Sequence, residues 1–227
     1  MEPVDDGDER AYGRRTFLAV TAVGLTSLVW GRTVWSAVSG VAQPFKDVAP
    51  GLFPGWRIYT VAATMPRFDP LTWRLTVDGL VERPLSLDIE QLRALPRAEQ
   101  VSTFHCVTGW TVGNVHWAGV RFHDLLALAR PAAEAKALTF TSAESPYTDT
   151  LTLDQAELKD VMLAYGMNGK PLSRPHGAPV RVVIPDMYGY KNVKWVERIT
   201  LTRAPEVGYW EQNGYDVDAW VGRSNGF

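Results

Sequence analysis

A single cysteine, Cys106, stands in the string FHCVTGW. One thiol excludes an intramolecular disulfide and every cysteine-rich metal site, so this sulfur is either inert or special. The alternation from Val101 to Cys106 predicts a strand that delivers His105 and Cys106 to a glycine-containing loop bearing Trp110 and Trp117. Spacing alone favours a buried, unreactive cysteine. The chemical alternative is a Cys-His hydrolase, since His105, His116 and His123 are close in sequence. On a strand, His105 and Cys106 point to opposite faces, which argues against that neighbour as the base.

A second candidate lies in RPHGAPVRVVIPDMYGYKNVK. There Arg174, Arg181, Lys191 and Lys194 stand against Asp186, a local charge of +3 in a chain whose net charge is -2. Arginine offers a bidentate fork to phosphate oxygens and lysine a point charge. Turns such as His176-Gly177 and Tyr188-Gly189-Tyr190 let backbone N–H groups approach an anion. The segment reads equally well as an anion site or as a solvated basic edge strand. As an anion site without enzymatic chemistry it would be a binding module built on Arg181 and Lys194.

The elements that must position these residues can be read from composition and period. The chain has 227 residues, 46% hydrophobic and 21% charged, the balance of a folded protein and too apolar for a disordered one. The small negative net charge disfavours a nucleic-acid binder. At the N-terminus a polar, mostly acidic stretch leads to Arg14-Arg15 and an uncharged run from Thr16 to Gly31, which together read as an export signal. At 16 residues the run is short for a membrane span. The expected organisation is a signal or anchor over residues 1–44 and one domain over residues 45–227.

Residues 45–70 read as an extended segment rich in proline, glycine and aromatics. Trp73, Leu75 and Val77 alternate with polar residues as a half-buried strand ending at Asp78-Gly79. Asp88 and Gln91 form a capping-box signature for a helix over Ile89–Leu95. Helical spacing predicts a second helix over Phe122–Arg130, and Asp154 with Glu157 a third start. Strands are expected over 137–142, 180–184 and 193–202, with a hairpin at Asn168-Gly169. The class is α+β, with many short strands and a few short helices.

Taken together, FHCVTGW, HWAGVRFHDLL, LAYGMNGKPLSRPHGAPVRVVIP and YGYKNVKWVERI, in this order, resemble the molybdopterin-binding domain of the sulfite oxidase superfamily, from about Phe53 to Tyr215. The twin-arginine-like string GRRTFL and the tail from Gly208 to Tyr215 make the chain similar to its exported bacterial branch, that of the periplasmic methionine sulfoxide reductase catalytic subunits. The resemblance implies that superfamily's fold of mixed sheets and one molybdenum-molybdopterin per chain, with Cys106 as the sole protein ligand to the metal. It places His176, Arg181 and Lys194 at the pterin and phosphate, with Asn192 and Val193 offering backbone groups and Ser142 a further pterin contact.

Tyr59, Thr60 and Trp110 fall on the substrate side. Thr60 stands where sulfite oxidases carry an arginine, which disfavours sulfite oxidation, and the asparagine-rich stretch of the reductase branch is not reproduced. The implied activity is two-electron oxygen-atom transfer at a small oxo compound, with sulfoxide reduction ahead of sulfite-type oxidation. The chain shows no haem domain and no dimerisation domain. The expected form is therefore a monomer in the periplasm or on the outer face of the inner membrane, exchanging electrons with a separate partner such as a membrane haem protein or a cytochrome.

Overall fold

The structure is a computed structural model that describes residues 55–226 and, as backbone, Ala11–Gly13. The export segment at 14–31 and residues 45–54 lie outside the described residues. The chain divides into two units, Met1–Ala63 and Thr64–Phe227. In the first, strand β1 (Ala11–Gly13) pairs in parallel with β2 (Ile58–Thr60).

The second unit contains two five-stranded sheets. One runs in the order β10-β9-β6-β5, from β5 (Arg97–His105), β6 (Thr111–Arg121), β9 (Met162–Met167) and β10 (Lys170–Pro171), with β11 (Arg181–Val183) also pairing with β9. The other runs β4-β3-β12-β7-β8, from β3 (Leu75–Gly79), β4 (Leu85–Leu87), β7 (Ala137–Ser142), β8 (Thr148–Thr152) and β12 (Val196–Thr202). Within it β3 and β12 are parallel, and the remaining pairs are antiparallel. Three short helices, α1 (Ile89–Arg93), α2 (Phe122–Ala129) and α3 (Leu153–Ala156), complete the α+β architecture expected from the sequence.

Period-2 burial explains the second sheet. Leu75, Val77, Leu138, Phe140, Ile199 and Leu201 are all buried, while Thr76, Asp78, Arg198 and Thr200 on the same strands stay partly or fully accessible. From the neighbouring sheet and α2 come Val120, Leu163, Val182, Phe122, Leu125 and Leu126, which join them in one core. Each such side chain stabilises the fold by roughly 1.5 to 3 kcal/mol.

Local signals set the element ends. Asp88 and Gln91 make the expected capping box on α1. Asn168 and Gly169, at φ of 51° and 76°, form the expected tight turn between β9 and β10. The cap of α3 differs from expectation: Thr152 and Gln155 make the reciprocal box, two residues earlier than Asp154 and Glu157. A larger difference is β6, an 11-residue strand that carries Trp117 fully buried at its centre rather than in a loop. Gly113, Asn114 and Gly119 give that strand the composition of a turn, and only its pairing to β5 and β9 makes it extended.

Candidate functional site

Cys106 occupies the first position of the loop that joins β5 to β6, where His105 pairs with Thr111. The loop closes on backbone bonds: the Cys106 N–H donates to Trp110 O at 2.9 Å and the Gly109 N–H to Cys106 O at 3.0 Å. The sulfur is half-buried and lies 3.2 Å from the Thr108 hydroxyl. Behind it, Phe104 packs on Trp110 with ring centroids 5.5 Å apart. The Gly189 N–H donates to His105 O at 2.7 Å, tying the Tyr188–Lys194 loop to the end of β5.

Gly189 is there because nothing larger fits. A Cβ at this position would stand 2.3 Å from the Phe104 ring. Gly189→Ala is expected to lower stability by about 1 to 3 kcal/mol through overpacking and to change the reaction rate of the Cys106 thiol with an alkylating reagent. Thermal melting and labelling kinetics check both effects.

Arg181, on β11, is 3% exposed. Its guanidinium donates to the carbonyls of His176 (3.2 Å), Asn192 (3.3 Å) and Val182 (3.5 Å) and lies between the rings of Phe104 (5.6 Å) and Trp117 (5.3 Å). No carboxylate among the described residues pairs with it. Burial pulls its pKa down to about 10. A guanidinium that remains charged in such a place holds an uncompensated positive charge, which an incoming anion would offset.

His176 and Lys194 add to this field. His176 is 3% exposed, and burial together with Arg181 and Lys194 pushes its pKa down to about 3, so it is neutral at physiological pH. The Lys194 ammonium lies 3.5 Å from Pro175 O and 4.0 Å from the centre of the Trp195 ring. Burial pulls Lys194 down to about 7, with the buried Glu144 carboxylate opposing the fall and Arg181 adding to it.

These shifts fix the sign of a pH effect. In the cofactor-free protein, sulfate, whose charge is constant in this range, should bind fully below pH 7 and progressively less as pH rises through the Lys194 pKa. Between that pKa and the ordinary lysine value the unfolded chain holds a proton that the folded one lacks, so the Lys194 contribution to stability rises with pH over the same window. Calorimetric sulfate titration and thermal melting at pH 6 and pH 9 check the opposite trends.

The remaining expected residues fall as follows. Ser142, 4% exposed, donates its hydroxyl to Lys194 O at 2.8 Å and accepts the Glu144 N–H at 3.0 Å, so it braces the Lys194 backbone. Asn192 and Val193 spend their backbone groups internally. The Asn192 carbonyl accepts from Arg181, Val193 N–H donates to Lys191 O, and Val193 O accepts from Val182 N–H. Tyr59 and Thr60 stand on β2 in the other unit, with the Thr60 hydroxyl 3.3 Å from Ala62 O.

The expected +3 patch is smaller in the structure. Lys191 is buried against Asp149 and Glu211, and Arg174 is exposed and donates to Met65 O and Pro66 O. Both were counted from sequence proximity, but alternate residues of a chain need not face one way. Arg181, Lys194 and neutral His176 remain. Glu144 was not anticipated, and nothing in the string SAES marks it as buried.

The histidines expected for a hydrolase are dispersed. His116 is exposed on β6, five residues beyond Thr111 and so about 16 Å along the strand. His123 is exposed on α2 beside Asp124.

The donor set can be tested against a metal-pterin group. No group of three or more His, Cys, Asp or Glu side chains among the described residues could hold a metal ion. A lone thiol such as Cys106 suits a metal that brings its other ligands with it, as one held by a dithiolene does. A soft thiolate suits such a metal, and the buried Arg181 charge, which no carboxylate among the described residues pairs, suits a phosphate. The residues fit the group.

Comparison with known proteins agrees with this chemistry. The family described as "oxidoreductase molybdopterin binding domain" matches residues 62–210. An uncharacterized oxidoreductase, YuiH, from Bacillus subtilis is 37% identical over 196 residues, covering 85% of this chain and 96% of that protein. The protein-methionine-sulfoxide reductase catalytic subunit MsrP of Campylobacter jejuni is 31% identical over 63% of this chain and 54% of its own. Among solved structures, the sulfane dehydrogenase SoxCD from Paracoccus pantotrophus matches with a TM-score of 0.60 and 27% identity, over 64% of this chain and 42% of that one.

Proposed function

The chain belongs to the oxidoreductase molybdopterin-binding-domain family, and from that premise we propose that it is an exported oxygen-atom-transfer enzyme that reduces a sulfoxide. The observation that carries the reading is the pairing of a lone thiol on a rigid hairpin loop with a buried, carboxylate-free arginine behind the same loop, linked through Phe104. Both functionally named relatives act on sulfur compounds by their names, which supports sulfur as the reacting atom.

When bound, the molybdenum cofactor supplies two-electron oxygen-atom transfer. The chain supplies the rest. Cys106 ligates the metal, and the backbone-bonded loop fixes the direction of its sulfur. Arg181 and Lys194 neutralise the phosphate, and neutral His176 is placed to donate a hydrogen bond beside them. Trp110, in the same loop as Cys106, belongs to the substrate side. The overall reaction balances as sulfoxide plus two electrons and two protons giving sulfide and water. The electrons come from a separate redox protein. The string Arg14-Arg15 before an uncharged run supports passage through the twin-arginine route, which carries proteins already folded around a cofactor.

The test is metal and pterin analysis of protein made in a host that synthesises the cofactor, followed by turnover of methionine sulfoxide with a reduced viologen dye as donor. About one molybdenum and one pterin per chain with sulfide formation is the expected result. Neither metal nor pterin would overturn the reading and return weight to the thiol hydrolase, which alkylation of metal-free protein would then inactivate. Full loading without sulfoxide turnover would remove the substrate assignment.

A further inference from the structure

The four cations of the basic segment do not share one task. Lys191 is buried with its ammonium bound to Asp149 Oδ1 (2.7 Å), Thr150 O (3.0 Å) and the Glu211 carboxylate. The side chains of all three charged residues are 1 to 2% exposed. Glu211 also accepts the Gly208 N–H, and Asp149 Oδ1 the Thr150 N–H at 2.7 Å. Two carboxylates share one ammonium, and Asp149 Oδ2 has no hydrogen-bond partner among the described residues. Such a cluster is poor at stabilising a fold, because desolvating its charges offsets most of their attraction and apolar residues would do as well. It does hold three pieces of chain in one register.

Those pieces are β8 through Asp149, the C-terminal tail through Glu211, and the Tyr188–Lys194 loop through Lys191. Further bonds run the same way. Tyr188 N–H donates to Ala219 O at 2.8 Å, the Tyr190 hydroxyl to Asp216 O at 2.8 Å, and Tyr209 N–H to Thr148 O at 2.9 Å. Next to Lys191, the Asn192 side-chain amide ties Ile184, Met187 and Tyr188 together, and the Asn192 backbone carbonyl accepts from Arg181 Nη2. The Gly189 N–H, two residues before Lys191, holds His105 O beside Cys106. Lys191 is thus the central fixed point of a loop that touches both halves of the proposed site.

We infer that Lys191, Asp149 and Glu211 are positioning residues: they clamp the Tyr188–Lys194 loop between β8 and the C-terminal tail, and so orient Arg181 and Lys194 for the cofactor's phosphate. The inference rests on the proposed reading of Arg181 and Lys194 as a phosphate site. It adds that residues outside that site, the tail included, set its affinity.

Lys191→Met alone leaves two buried carboxylates facing each other and is at risk of not folding. Lys191→Met/Glu211→Gln removes the facing pair. Burial already raises Asp149 to about 7 with Lys191 holding it down, so without Lys191 this carboxyl takes up a proton and the cluster becomes less negative, which would favour phosphate. A loss of affinity would therefore come from geometry and not from long-range charge. The measurement is calorimetric binding of inorganic phosphate to folded cofactor-free protein at fixed pH and well below the melting temperature, with pterin content per folded molecule as a second readout. At least a tenfold loss of phosphate affinity in the double variant, with lowered pterin content and an unchanged far-UV spectrum, is expected. Wild-type affinity in a double variant that merely melts earlier would overturn the inference while leaving the phosphate site intact. Equal phosphate affinity in wild type and Arg181→Met would remove the phosphate site itself, and the inference with it.

Discussion

Cys106→Ala is expected to yield a folded protein that has lost turnover. The loop around Cys106 is closed by backbone bonds to Trp110 and Gly109, and the sulfur is half-buried with Thr108 as its hydroxyl neighbour. Truncation leaves those backbone bonds in place, so the stability change should be no more than about 0.5 to 1 kcal/mol, the range of a substitution away from tightly packed or networked features. Activity should fall by more than about 100-fold, beyond what the loss of a partner behind a metal ligand costs. Pterin should remain, because the proposed phosphate site at Arg181 and Lys194 does not include Cys106. Side-by-side assay of activity, pterin and melting temperature checks this, and full activity would end the assignment of Cys106 as ligand.

Arg181→Met should have the opposite profile, losing cofactor before stability. Each charge-assisted bond to the phosphate is worth roughly 1.5 to 3 kcal/mol, or about 10- to 150-fold in affinity, so most molecules should be isolated without pterin. The cofactor-free protein should melt within a few degrees of wild type. Methionine fills the slot between Phe104 and Trp117, and removing a buried charge that has no carboxylate partner returns its desolvation cost. The lost bonds to three carbonyls work against that gain. Normal pterin content in this variant would take Arg181 out of the phosphate site. A large stability loss without any change in pterin would make it a structural residue.

Which elements could be read in advance follows from the range of the forces that make them. The Asp88–Gln91 box, the Asn168-Gly169 turn, the alternation of β3 and the strand β7 depend on residues a few positions apart, and all appear where expected. Strand β6 could not be read this way. Gly113, Asn114 and Gly119 are poor strand formers, and pairing to β5 on one side and β9 on the other outweighs their preferences. Trp117 moved from an expected loop to the core for the same reason, and there it forms one wall around Arg181.

The site shows the same division. Composition and spacing singled out one thiol and a basic segment as candidates, and left an inert cysteine and a solvated edge strand standing beside them. The family strings added the cofactor, and the match over residues 62–210 agrees with them. What only the tertiary structure decided is which of these cations a carboxylate neutralises. Arg181, Lys191 and Lys194 are equivalent as sequence, yet Asp149, 42 residues from Lys191, and Glu211, 20 residues on, neutralise Lys191, while Arg181 is left among carbonyls and rings. Charge is carried by the residue, but its availability is set by burial and by partners that come from anywhere in the chain. No local pattern encodes that.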